Sequence, residues 1–110
     1  MTQMRDNTLE LFGPLASDIR ELLFLEWDPY GSNHHPLSID IYDDYIPAIH
    51  RLAKARHSSD DTEDIKHIAA YLNFVVRNYI GGIPDKELNR SVAEKIFKLA
   101  ETARRQPQLA

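Results

Sequence analysis

The residues with the clearest potential for chemistry are a histidine pair, His34-His35, and the carboxylates that follow it. Imidazole nitrogens and carboxylate oxygens are common metal ligands, and Asp40 lies a short distance after the pair. Adjacent histidines point in different directions, however, and the sequence has neither the H-E-x-x-H spacing of a zinc site nor any cysteine. We therefore interpret the histidines as solvated side chains and expect no metal and no cofactor.

Three carboxylates, those of Asp40, Asp43 and Asp44, are close enough in sequence to be considered for acid–base catalysis. A general acid or base needs a pocket that holds its substrate, and exposed acids one helical turn apart are poor candidates. The serines fall in predicted caps, loops and polar faces, where no Ser–His–Asp arrangement is indicated. Gly81-Gly82 is interpreted as a helix stop rather than a phosphate-binding loop. The sequence thus predicts that the protein is not an enzyme.

The same three carboxylates lie on one face of an ideal helix, opposite an apolar face that includes Tyr42 and Tyr45. One interpretation is that they are first-turn acids, which stabilise a helix by complementing its dipole. The other is that they form an acidic docking patch for a basic protein, and both can hold. A second acidic group, Asp60, Asp61 and Asp64, lies at the start of the next predicted helix.

A second distinctive segment, Trp27-Asp28-Pro29-Tyr30-Gly31, follows the first predicted helix. The single tryptophan is interpreted as a core anchor because its side chain buries a large area. Asp28 precedes a proline, which disfavours helical geometry and predicts the helix end, and Gly31 permits a positive φ in the turn that follows. The alternative is that Asp28 and Tyr30 belong to a surface that contacts a partner.

Charge and composition restrict the class of protein. The 110 residues predict a single domain, with a net charge of −4 and no stretch of apolar residues long enough to span a membrane. Residues 1–50 carry two basic and nine acidic residues, a net −7, whereas residues 51–110 carry a net +3. An acidic chain without a signal-like N-terminus argues against nucleic-acid and membrane binding and favours the cytoplasm.

The spacing of apolar residues positions these groups on four helical segments, at about 15–26, 40–55, 60–80 and 85–104. The short connections favour a single-domain, all-α antiparallel bundle of about four helices, with a long loop at 27–39 between the first two. Pro47 lies inside the second segment and predicts either a kink or a short first piece followed by a helix from Pro47. Residues 1–13 are expected to be loosely ordered, and 106–110 to be a frayed tail.

The chain resembles a group of small bacterial proteins that carry W-D-P-[I/V]-G, then a D-E-Y-D-x-Y stretch, then a helix ending near a Tyr-Leu, and a final V-A-x-K-[I/L] helix. The corresponding residues are Trp27-Asp28-Pro29-Tyr30-Gly31, Asp40-x-Tyr42-Asp43-x-Tyr45, Ala70-Tyr71-Leu72 and Val92-Ala93-Glu94-Lys95-Ile96. Tyr30 replaces an aliphatic residue of the pattern, and Ile41 replaces an acid. Most members have no known function, and some resemble immunity proteins that neutralise toxins in contact-dependent growth inhibition and other polymorphic toxin systems.

The resemblance implies a small cytoplasmic helical antitoxin and carries over no catalytic residue. Together with the acidic N-terminal half, it leads us to expect an immunity protein that binds and blocks a cognate toxin domain, of the basic nuclease type, as a monomer or weak dimer. The alternative is a non-catalytic regulatory or scaffold module that binds another bacterial protein. The expected partner-binding residues are Asp28, Tyr30, Asp40, Asp43, Asp44, Asp60, Asp61 and Asp64.

Overall fold

Four α-helices account for most of the chain that the structure, a computed structural model, describes, namely residues 13–31, 39–55 and 60–105. In chain order they are α1 (Pro14–Leu22), α2 (Ile46–Lys54), α3 (Asp61–Val75) and α4 (Lys86–Arg105). Helix α4 packs against each of the other three, and most extensively against α3. The predicted all-α class and four-helix arrangement are therefore confirmed.

Local sequence signals set most helix ends. Asp60 caps α3 by accepting a hydrogen bond from the Thr62 backbone N–H at 2.9 Å. The Asp85 carboxylate accepts from the Leu88 backbone N–H at 3.1 Å, at the start of α4. At the other end of the α3 segment, Gly81 adopts a φ of 87°, as its place after the apolar stripe predicts.

Two helices end in a π-helical turn, in which one extra residue widens the last turn. Helix α1 continues as Leu23–Trp27, and α3 continues as Val76–Ile80. The N–H of Asp28 closes the first π turn onto the Leu23 carbonyl at 2.8 Å. Asp28 itself takes left-handed geometry, with a φ of 36°, where Pro29 predicts the helix end.

Helix α2 begins later than expected. The predicted segment 40–55 is helical only over Ile46–Lys54, and a short 3-10 turn, Asp43–Tyr45, precedes it. Pro47 explains the difference, because it lacks the N–H that would continue the helix through Asp43 and is well accommodated in a first helical turn. Of the two outcomes considered for Pro47, the short first piece followed by a longer helix is confirmed.

The core draws on all four helices and on the turn before α2. Trp27 lies in it, which confirms its predicted role as an anchor. The buried apolar side chains are those of Leu15, Ala16, Ile19, Leu22, Leu23, Phe24, Trp27, Tyr42, Ile46, Ile49, Ala53, Ile68, Leu72, Val75, Val76, Val92, Ala93, Ile96, Phe97 and Ala100. None of the helices in the described ranges has the length and apolarity to cross a membrane. The expectations for 1–13 and 106–110 fall outside the described residues, apart from Gly13.

A buried asparagine connects three elements of the core. Asn89 of α4 accepts a hydrogen bond from the Trp27 indole N–H at 2.7 Å, and its amide donates to the Asn73 side-chain oxygen of α3 at 2.7 Å. Among the described residues, every buried side-chain nitrogen or oxygen has a hydrogen-bond partner. A buried polar group without a partner destabilises the fold by more than a single hydrogen bond stabilises it. This network therefore favours one packing arrangement of α1, α3 and α4.

We expect Asn89→Ala to lower the free energy of unfolding by about 2–3 kcal/mol, because it leaves the buried indole N–H and the Asn73 amide without their partner. Urea unfolding followed by Trp27 fluorescence measures this loss. Asn78→Ala is the matched control, since its exposed amide bonds only the Phe74 carbonyl of its own helical segment, and we expect a change within about 0.5 kcal/mol. Equal losses in the two variants would contradict the role assigned to Asn89.

Candidate functional site

The Tyr42 hydroxyl joins two segments that are distant in sequence. It donates a hydrogen bond to the Asp28 carboxylate at 2.8 Å and accepts one from the Tyr30 backbone N–H at 2.9 Å. The Tyr42 and Tyr30 rings stack at 5.9 Å with an interplanar angle of 4°. Tyr42 is fully buried, so these contacts hold residues 28–31 against the turn that precedes α2. The partly buried Asp28 thus has an internal partner, and Gly31 has the predicted positive φ, of 67°.

Asp43 does not lie on the outside of the molecule, and that expectation was wrong. It is buried, and the Arg20 guanidinium of α1 contacts both of its carboxylate oxygens, at 3.1 and 2.5 Å. The 3-10 turn directs Asp43 towards α1, whereas the ideal helix assumed from the sequence would direct it to solvent with Asp40 and Asp44. Asp43 therefore joins the turn to α1 through a bidentate ion pair.

The other predicted acids differ in exposure. Asp40 is partly buried and Asp44 is exposed, so the three carboxylates before α2 do not form one solvated face. At the start of α3, Asp60 and Asp61 are exposed, as expected. Asp64, by contrast, is only 1% exposed, which corrects its placement in an acidic surface group. Its position four residues before the buried Ile68 puts it on the apolar side of α3.

A group of aromatic side chains reaches the surface, and we call Tyr30, Tyr45, Tyr71, Phe74 and Tyr79 the aromatic surface. The Tyr71 ring lies 6.4 Å from Phe74, Phe74 lies 5.6 Å from Tyr79, and Tyr79 lies 6.1 Å from Tyr45. Tyr30 stacks on the buried Tyr42, which contacts Trp27, and Trp27 in turn contacts Tyr45. Elements far apart in sequence thus contribute to one surface.

Three members of the aromatic surface are well exposed: Tyr30 by 50%, Phe74 by 47% and Tyr79 by 62%. Tyr45 and Tyr71 are half-buried. Behind them the Trp27 ring packs edge-on against Tyr42 at 5.2 Å and against Tyr45 at 6.4 Å. Buried rings therefore support Tyr45 and Tyr30 directly, and these two side chains have less freedom to lose when a partner covers them.

Charged side chains of both signs act on the aromatic surface. Burial raises the pKa of Tyr45, and the Tyr30, Asp44 and Tyr79 side chains raise it further. Burial, Tyr79 and Tyr45 raise the pKa of Tyr71, and Arg51 acts in the opposite direction. Asp44 and Arg51 are both exposed.

The sequence predicted part of this surface. Tyr30 was assigned to a partner surface, and the structure leaves it exposed. Regular helical spacing from Leu72 and Val75 would place Tyr79 on the apolar side of its segment, but it is 62% exposed. The π turn at Val76–Ile80 changes the angular position of each following residue, so regular α-helical spacing misplaces Tyr79.

The described residues provide no candidate ligand set for a metal ion. No three His, Cys, Asp or Glu side chains in the described residues are grouped closely enough to hold a metal ion. His34 and His35 lie outside the described residues. The aromatic surface is therefore the feature on which a functional interpretation can be built.

We expect Asp43→Asn to lower the free energy of unfolding by about 2–3 kcal/mol, because it removes the charge that compensates the partly buried Arg20 guanidinium. The adjacent Asp44→Asn should change it by less than about 0.5 kcal/mol, since Asp44 is exposed. Chemical denaturation measures the free energy of unfolding of both variants, and so compares the buried Asp43 with the exposed Asp44 next to it. A similar stability for both would contradict the buried ion pair.

We expect stability to fall at alkaline pH, and Tyr42→Phe to reduce that fall. Burial and the Asp28 carboxylate raise the pKa of Tyr42, opposed in part by the Tyr30 N–H. Above pH of about 10 the unfolded chain therefore loses this proton first, and the free energy of unfolding drops by up to about 1.4 kcal/mol per pH unit. Urea unfolding between pH 7 and 11 should give a shallower slope for the variant, although Tyr45 and Tyr71 still contribute. An unchanged slope would contradict the assignment.

Comparisons with known proteins found no match to this chain among family models, curated proteins or solved structures.

Proposed function

We propose that this protein is an immunity protein that binds a cognate toxin domain and blocks it, and that the aromatic surface is its contact region. The observation that carries the proposal is the group of exposed rings at Phe74 and Tyr79, which is continuous with the half-buried Tyr45 and Tyr71. The exposed Tyr30 is connected to this group through the buried rings of Tyr42 and Trp27. Contiguous exposed apolar surface in a small protein is typical of a site that another macromolecule covers.

The residue types favour a protein as the partner. Tyrosine is enriched at the energetically important positions of protein interfaces because it buries a large area at low entropic cost and retains a polar group. The buried Trp27 packs against Tyr45, and the buried Tyr42 stacks on Tyr30. Preorganised aromatic side chains of this kind increase affinity, since little ordering is needed on binding.

Charge and resemblance favour a basic toxin domain. Residues 1–50 carry a net charge of −7, which would speed encounter with a positively charged surface such as the substrate-binding cleft of a nuclease. The sequence motifs resemble those of small bacterial proteins that include immunity proteins. In this proposal the protein acts in the cytoplasm, where it would intercept a toxin that enters the cell.

The test is co-expression with the toxin domain encoded by the neighbouring gene, read out as growth rescue and co-purification. We expect the wild-type protein to rescue growth, and Tyr79→Ala and Phe74→Ala each to weaken binding at least about tenfold, because they remove exposed rings at the centre of the contact. Leu25→Ala is the matched control, since Leu25 is also well exposed, at 55%, but lines a groove between α1 and α4.

Circular dichroism of each variant separates loss of binding from loss of folding. Absence of association at both low and high salt would overturn the proposal. Equal effects of the Tyr79 and Leu25 variants would retain a partner but remove the aromatic surface as the contact. Recovery of growth without a complex would also count against blocking by direct binding.

A further inference from the structure

A groove runs between α1 and α4 on the surface of the molecule. Leu22 and Leu99 line it along its length, and both are buried or half-buried. Leu25 belongs to the α1 side of the groove and is 55% exposed. The groove therefore combines an apolar floor with a large apolar side chain that is left in contact with water.

The two walls of this groove carry opposite charges. Asp18 and Glu21 are exposed on the α1 wall, and Lys98 is exposed on the α4 wall. Within the described residues, none of these three groups takes part in an ion pair. Glu26 and Lys95, by contrast, pair with each other across the groove. Charges of both signs thus remain unpaired beside the apolar floor.

Glu21 and Lys98 lie at nearly the same level along the groove. The Glu26–Lys95 ion pair gives the reference point, and the antiparallel course of the two helices puts Glu21 and Lys98 on the same side of it. Glu21 lies five residues from the pair and Lys98 three, which correspond to roughly 7 Å and about 4.5 Å along the helix axes. The difference is within the reach of two long side chains.

A surface with this charge pattern is complementary to a second copy of itself. In a two-fold symmetric contact the same patch serves both copies, so it must carry both signs of charge if opposite charges are to meet. A two-fold axis along the groove keeps each residue at its level and places α1 of one copy over α4 of the other. An axis across the groove would place α1 over α1 and bring acids against acids, which is unfavourable.

We infer that this groove is the contact face of a symmetric homodimer in which α1 of each copy packs on α4 of the other. The contact covers Leu25 of both copies and brings Glu21 of one copy to Lys98 of the second copy, twice by symmetry. The groove shares no residue with the aromatic surface. The inference is therefore independent of the proposed function.

Sedimentation equilibrium of the full chain tests the contact without any other protein. Between concentrations of about 10 µM and about 1 mM we expect the average mass to rise from one chain towards two, as a small interface predicts. Lys98→Glu and Glu21→Lys should each weaken self-association at least about tenfold, because each change turns two symmetry-related attractions into repulsions.

An equimolar mixture of these two variants gives a sharper test. One variant then has two basic groups at the contact and the other has two acidic groups, so the mixture should form a heterodimer at concentrations where each variant alone is monomeric. Lys86→Glu is the matched control, since it makes the same charge change at an exposed lysine of α4 outside the groove. It should leave self-association unchanged. All three positions are exposed, and circular dichroism checks that each variant is folded.

Several results would overturn the inference: a wild-type chain that stays monomeric up to the highest concentration, equal weakening by Lys98→Glu and Lys86→Glu, or a mixture that does not associate. A groove that receives a different protein instead would give the first of these results. The toxin experiment is separate. A monomeric chain that still blocks its toxin retains the proposed function and loses this contact, and a dimer that binds no toxin does the reverse.

Discussion

The contact on which the rest of the arrangement depends is the Tyr42 hydroxyl, which bonds the Asp28 carboxylate and the Tyr30 N–H. It fastens the end of α1 to the turn before α2, and the Asp43–Arg20 ion pair fastens the same turn to α1 itself. The W-D-P-x-G and D-x-Y-D-x-Y stretches therefore meet in space. Several of the polar side chains that make those stretches distinctive have structural partners within the chain, which explains why these residue types occur together.

The aromatic surface is an outward extension of the core. Trp27 is buried, contacts Tyr42 and Tyr45, and has its own N–H satisfied by Asn89. Rings further out rest on these rings, so the same packing that stabilises the fold orients the exposed tyrosines. A partner that covers these tyrosines would bind a surface that is already ordered. Little side-chain entropy would therefore be lost on binding.

The helices were predictable because the spacing of the apolar residues agrees with the local signals for helix ends. Pro14 and Asp85 indicate where helices begin, and Gly81 indicates where one ends. The site was predictable only in part. Asp43 and Asp64 are buried, whereas acidic residues are usually exposed. The direction of each side chain depends on how its segment packs against a neighbouring element, which the residue type alone does not indicate. Asn89 was missed, although its spacing to Val92 and Ala93 puts it on the apolar face, where a lone amide indicates a buried hydrogen bond. Tyr79 was misplaced because nothing in the residue types revealed the π turn.

The two π turns have a consequence for chain length. Each accommodates one residue more than a regular helical turn would, at Leu23–Trp27 and at Val76–Ile80. Deleting a single residue from either turn would restore a regular helical turn and leave the residues beyond it close to their present angular positions, because the wider turn absorbs the extra residue. Converting either turn to regular α-helix without a deletion would instead rotate each residue beyond it by about 100°. The side chains of Trp27 and Tyr79 would then lose their contacts with Tyr45. The geometry of the aromatic surface thus depends on the width of these two turns as much as on the identity of its residues.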